Sequence, residues 1–201
     1  MSAPPDEREL MERSRRGDLE SFNCLVVAYQ SRVYSLCLRM LGSPESADDA
    51  TQEAFIAAYR SIGKLRGALR PWLLRIASNA CIDELRRRKR QSSVSLDVPT
   101  TDPEREHALD PPDASSERPE SVALQDELSR ALQAELLRLP SEQRLAVILC
   151  DVEGFSYDEI AESMGCSVGT VKSRISRGRA RLREQLRERP ELFGDKVRHT
   201  E

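Results

Sequence analysis

The residues best placed to do chemistry lie between Ser156 and Leu182, and the chemistry they suit is recognition. Ser156 and Glu159, in the run S-Y-D-E, form a capping box, which opens a short helix by satisfying two of its orphan backbone donors. Ala161 stands four residues before Gly165, and Val171 follows six residues after that glycine. This is the spacing of a helix-turn-helix. A small residue is needed where the helices cross, a glycine supplies the left-handed turn, and a branched apolar residue locks the second helix onto the first. Ser167 is the expected N-cap of the second helix, with Thr170 at its third position. That helix then offers Lys172, Ser173, Arg174, Ser176 and Arg177, residue types that reach base edges in a major groove. Arg179, Arg181 and Arg183 follow and can neutralise phosphates.

Other chemistry is not legible. The chain has 2 histidines, His107 and His199, and neither falls in a helical pattern. Its 5 cysteines show no CxxC spacing, so no metal site is expected, and they read as small hydrophobes. The adjacent carboxylates at 48 and 49 lack an accompanying ligand set, and no GxxxxGK[ST] phosphate loop occurs. Neither an enzyme nor a cofactor is expected. No apolar run approaches the ~20 residues of a membrane span, and the N-terminus lacks the apolar core of a signal peptide, so the protein is expected in the cytoplasm.

The elements that must position these residues are helical. Leu, Ala, Arg and Glu dominate, and only 4% of residues are aromatic, so the fold class is all-α with aliphatic cores. Phe22, Leu25, Val26, Tyr29, Val33, Leu36, Cys37 and Met40 follow the helical repeat, with Asp18 as N-cap and Gly42 then Pro44 as the stop. A second helix runs from about Ser46 to Ile62, turning Phe55, Ala58, Tyr59 and Ile62 inward and Asp48, Asp49, Gln52 and Glu53 outward. A third starts near Pro71, with Trp72 as a core anchor beside Leu73, Ile76, Ala80 and Leu85. Its other face carries Arg75, Ser78, Asn79 and Arg86, and Asp83 is a local ion partner for Arg86 or Arg87.

The net charge of -3 hides a strong asymmetry. Cations crowd into residues 86–90 and again from Lys172 to Arg189, with acidic residues between. The local field, not the total, decides contact with phosphates. From Gln91 to Glu120 the text is Pro-rich and acidic, without an apolar repeat. Two small helical domains are therefore expected at 1–90 and 121–189, the second holding the helix-turn-helix, joined by a flexible acidic linker at 91–120. A short polar tail occupies 190–201.

The stretches SADDATQEAFIAAYRSI and PWLLRIASNACIDELRRRKR resemble the core-binding and −10-binding domain of the extracytoplasmic-function (ECF) subfamily of sigma-70 factors. LPSEQRLAVILCDVEGFSYDEIAESMGCSVGTVKSRISRGRARL resembles their −35-binding domain, and the two occur in the right order over nearly the whole chain. The resemblance implies a stress-responsive initiation factor that brings RNA polymerase core to promoters. Asp48, Asp49, Gln52 and Glu53 would dock on the clamp helices of the largest subunit, and the second domain would meet the flap. Lys64, Arg66, Arg70, Arg75, Ser78, Asn79, Arg86 and Arg87 would serve the −10 element. Ser167, Thr170, Lys172, Ser173, Arg174, Ser176 and Arg177 would serve the −35 element. An anti-sigma partner is implied as well. Relatives often have Phe-rich text before the third helix, where this chain reads KLRGALRP and Pro71 replaces a usual alanine. Base preference at −10 is therefore not carried over. The acidic linker reads equally as a plain tether or as a nucleic-acid mimic.

A stand-alone helix-turn-helix regulator would explain residues 156–183 but leave the first domain without a role. It also calls for a dimerisation seam, and no heptad repeat is present. A decoy that titrates an anti-sigma protein is disfavoured by cations on the DNA-facing helices of both domains. The discriminating observation is whether promoter binding requires core polymerase.

Overall fold

The computed structural model describes residues 6–94 and 120–188. Most of the expected linker and all of the tail from 190 lie outside them. Eight α-helices carry the described residues: α1 (Glu7–Arg15), α2 (Leu19–Leu41), α3 (Pro44–Ser61), α4 (Leu69–Val94), α5 (Glu120–Leu137), α6 (Ser141–Val147), α7 (Tyr157–Met164) and α8 (Val168–Arg187). A single turn of 3₁₀ helix (Ile62–Lys64) follows α3, and a π-helical turn (Ile148–Val152) extends α6.

Local chemistry sets these boundaries. Asp18 caps α2 by accepting from the Glu20 and Ser21 amides, and α2 stops at Gly42, whose φ of 77° is the left-handed conformation that glycine adopts freely. Ser43 caps α3, with Pro44 at its first turn, where a missing N–H is harmless. Along α2, Val33, Leu36, Cys37 and Met40 are all 0% exposed and form the centre of the N-terminal half. Val33, Leu36 and Met40 each contribute about 1.5–3 kcal/mol through burial.

The inner face of α3 matches expectation at Ala58 and Ile62, both buried, and departs from it at the aromatics. Ala47, Ala50, Ala54 and Ala58 are its buried residues, while Phe55 is half-buried and Tyr59 is exposed, edge-on to Phe22 at 5.0 Å between ring centres. A stripe of alanines lets α3 lie close on α2, so the larger aromatics are displaced to the rim. On α4, Leu73, Leu74, Ala77 and Cys81 are buried, and Trp72 packs against the core from its edge.

The C-terminal half (α5 to α8) packs directly on the N-terminal half (α1 to α4), and one apolar cluster runs through both. At the C-terminus of α2 the Leu137 side chain lies against Gly42, and polar contacts surround it. The Gln133 amide donates to Leu38 O at 3.0 Å, and the buried Arg144 guanidinium donates to the carbonyls of Met40, Leu137 and Leu139. The Met40 carbonyl, left without an intrahelical partner at the helix end, thus finds one across the junction, and Leu38 O gains a second donor beside the Gly42 amide. Burial pulls the Arg144 pKa below its usual value. No helix among the described residues is long and apolar enough to cross a membrane.

Candidate nucleic-acid interface

The helix-turn-helix is built as its spacing predicts. Ser156 Oγ accepts from the Glu159 amide, and Glu159 Oε2 accepts from the Ser156 amide at 2.8 Å, so the capping box is complete at the start of α7. Gly165 ends α7 at φ 58°, and Ser167 caps α8 by accepting from the Thr170 amide at 3.2 Å. Val171 is 0% exposed, pinning α8 to α7. Gly178 was not anticipated: it lets α8 pass close over α6, against Val147 and Gln143.

Ser167, Thr170, Ser173, Arg174 and Arg177 converge on one concave surface of about 770 Å³, bounded by Pro140 to Gln143 at the start of α6. Lys172 and Ser176 are exposed elsewhere on α8. Arg174 is held in place, donating to Glu142 Oε2 and, at 3.3 Å, to Cys166 Sγ. Arg177 is exposed, with no ion pair among the described residues. Arg179, expected to meet phosphates, is instead clamped on Asp151, with Nε at 3.1 Å from Oδ2. That hydrogen bonding raises the Arg179 pKa and holds the Asp151 carboxyl below the usual carboxylate range.

On α4, Asn79 is exposed as expected, and Arg86 and Arg87 reach outward while pairing locally with Asp83 (3.3 Å) and Glu84 (2.5 Å). Ser78 is a correction. It is 1% exposed, on the side of α4 shared with Leu74 and Cys81, and its hydroxyl donates to Leu74 O at 2.7 Å. A serine four residues past an apolar position satisfies itself on the preceding turn and needs no solvent. Arg70 and Arg75 also differ from a free DNA face, because both meet carboxylates of the C-terminal half, Glu153 at 3.5 Å and Glu162 at 3.2 Å. Lys64 and Arg66 are exposed.

Asp48, Asp49, Gln52 and Glu53 are all exposed along α3, opposite its buried alanines. Beside them, Asp48 and Thr51 with Gln30, Ser31, Tyr34 and Ser35 of α2 line a shallow polar groove of about 380 Å³. Burial, with the Asp48 charge nearby, raises the Tyr34 pKa. This is an anionic ridge suited to cationic partners. Among the described residues, no group of histidines, cysteines and carboxylates could hold a metal ion.

Fold and surfaces together define an all-helical protein with one helix-turn-helix among the described residues, of the kind that binds DNA, and a separate acidic ridge on α3. Residues 25–91 match the family model for sigma-70 region 2, and residues 129–182 match that for sigma-70 region 4. The RNA polymerase sigma-H factor of Pseudomonas aeruginosa is 39% identical over 191 residues, spanning 92% of this chain and 96% of that one. The ECF sigma factor SigW of Bacillus subtilis is 36% identical over 183 residues, 90% of this chain and 97% of that one. Among solved structures, the sigma factor RpoE in complex with the anti-sigma factor NepR, from Bartonella quintana, aligns with a TM-score of 0.65 at 26% identity. That alignment covers 84% of this chain and 98% of that one. CnrH in complex with the cytosolic domain of CnrY aligns with a TM-score of 0.62 at 26% identity, covering 91% and 98%. The chain belongs to the sigma-70 family of RNA polymerase sigma factors, in its extracytoplasmic-function subfamily.

Proposed function

We propose that this chain acts in the cytoplasm as a non-catalytic initiation factor that brings core polymerase to promoters through two domains, at 1–90 and 121–189, tethered by 91–120. Asp48, Asp49, Gln52 and Glu53 dock on basic clamp helices of the largest subunit, and the second domain meets the flap. Asn79, Arg86 and Arg87, joined by Lys64, Arg66, Arg70 and Arg75, hold the melted −10 strand. Arg174 and Arg177, with Ser167, Thr170, Lys172, Ser173 and Ser176 around them, address the −35 duplex. An anti-sigma protein is the regulating partner. The observation that carries this reading is the convergence of four recognition-helix residues and their N-cap Ser167 on one concave surface, on a chain whose α3 separately exposes an acidic ridge.

The test is run-off transcription with sigma-free core polymerase on a library of promoter fragments. Core-dependent transcripts sharing sequence near −35 and −10 establish the reading. Specific duplex binding without polymerase, and no transcripts, would replace it with a stand-alone regulator.

A further inference from the structure

The two arginines on the concave surface of α8 are seated differently. Arg177 is exposed, whereas the Arg174 side chain is only 21% exposed and its guanidinium is gripped at both ends. Nη1 donates to Cys166 Sγ at 3.3 Å, in the turn before α8, and Nη2 donates to the Glu142 carboxylate on α6. Glu142 itself is 61% exposed, on the wall of that surface.

The packing of the helices brings the partners together. Gly178 lets α8 close on α6 at Val147 and Gln143. Glu142 stands next to Gln143, and Arg174 lies one helical turn before Gly178. Arg144 and Leu145 are buried, which fixes this end of α6 against its neighbours.

Stability does not explain the pair. An ion pair with so exposed a carboxylate is screened by water and adds little to folding. A carboxylate also opposes phosphate, so a surface built only to attract a DNA backbone gains nothing from one. What the pair supplies is direction. A free arginine surrenders rotamer freedom when it meets a base, and one already held surrenders less. A guanidinium carries five N–H donors in a planar fork, so donors remain for a base after Cys166 and Glu142 have taken one each.

We propose that Glu142 is a positioning residue for sequence recognition, holding Arg174 so that its fork meets the paired acceptors of a guanine edge. Those acceptors, O6 and N7, are the usual partners of an arginine in a major groove. The proposal rests on the −35 reading of α8 given above. Glu142 acts on selectivity and not on overall attraction, which its charge reduces.

The test assembles the full chain with core polymerase and measures competition between promoter fragments carrying the preferred −35 element and a scrambled one. Glu142→Gln keeps the shape of the side chain and removes its charge. It should lower the affinity ratio of the two fragments by about fivefold, the cost of ordering one long side chain. Binding to the scrambled fragment should stay level or tighten, because a negative charge has left the surface. A misfolded surface would weaken both, and circular dichroism with thermal melting checks that the variant folds like wild type. In an Arg174→Ala background the same change should leave the ratio unmoved, since Glu142 then has nothing to hold. An unchanged or higher ratio in folded Glu142→Gln, or the same loss in the Arg174→Ala background, would overturn the positioning role while wild-type selectivity keeps the −35 reading intact. A wild-type protein that binds both fragments equally would overturn the −35 reading, and the positioning role with it.

Discussion

Gly178 and Val147 meet where α8 crosses α6: a Cβ on Gly178 would lie 2.7 Å from Val147 Cγ2, and 3.3 Å from the carbonyl oxygen of Gln143. The recognition helix can seat this deeply only because residue 178 has no side chain. In an open helix, Gly→Ala would stabilise by up to about 1 kcal/mol. Here the added methyl strikes a valine and a backbone oxygen, and overpacking of that kind costs about 1–3 kcal/mol. Gly178→Ala should therefore destabilise on balance, by roughly 1 kcal/mol. Urea unfolding checks this: the midpoint should fall with the slope unchanged. A raised midpoint would show that α8 has room to shift.

The capping box makes a second prediction, with a pH dependence. The Ser156 amide and hydroxyl both bond the Glu159 carboxylate and hold its pKa below the usual range. Hydrogen bonds from Ser21 act likewise on Asp18. A carboxyl whose pKa is lower folded than unfolded adds stability above the unfolded value, about 4.3 for Glu, and loses it as pH falls through the folded value. Thermal stability should thus decline from pH ~5 downward. Glu159→Gln keeps a capping side chain without the charge and should flatten part of that decline. Ser156→Ala removes the cap itself and should cost about 1 kcal/mol at neutral pH. A melting curve for Glu159→Gln that falls as steeply as wild type would contradict the assignment.

These local devices are what the sequence makes legible. Asp18, Gly42, Ser156, Gly165 and Ser167 are read correctly because caps and turns depend on neighbours within a few residues. On α3, Ala58 and Ile62 are buried as the repeat predicts and Phe55 packs on the edge of the core, but Tyr59 is exposed, because close approach to α2 selects alanines at 47, 50 and 54. Ser78 was misread because polarity suggests solvent, yet its hydroxyl is spent on Leu74 O. The pairing of Arg70 with Glu153 joins residues 83 apart in sequence, beyond the reach of any periodicity. Arg144 has the same character: a lone arginine in LPSEQRLAVIL gives no sign that it will cap α2 from the other half of the chain.

Ser78 and Asn79 are adjacent on α4 but differ in exposure, and that separates their roles. Ser78→Ala removes a hydroxyl that bonds only its own helix, so melting of the −10 region should be unchanged within about twofold. Asn79→Ala should slow open-complex formation, read by the fluorescence of 2-aminopurine placed in the −10 element. Equal defects in both variants would mean that α4 presents a different face to DNA from the one exposed here.

Arg177 and Lys172 test how α8 meets the duplex. Arg177 is exposed on the concave surface shared with Ser173 and Arg174, whereas Lys172 is exposed outside it. If Arg177 reads a base, Arg177→Ala should cost about 1–3 kcal/mol on the preferred −35 sequence and relax selectivity at one position. Lys172→Ala should instead weaken binding to all sequences alike and lower the salt slope by about 1, as loss of a phosphate contact does. Both variants should bind core polymerase like wild type. Gln52→Ala with Glu53→Ala should do the reverse, slowing capture of core while leaving duplex binding by the helix-turn-helix intact, since complementary charge acts mainly on the encounter. Stopped-flow association with core at two salt concentrations decides it. A loss of core binding in Arg177→Ala, or none in the α3 double variant, would exchange the roles assigned to the two surfaces.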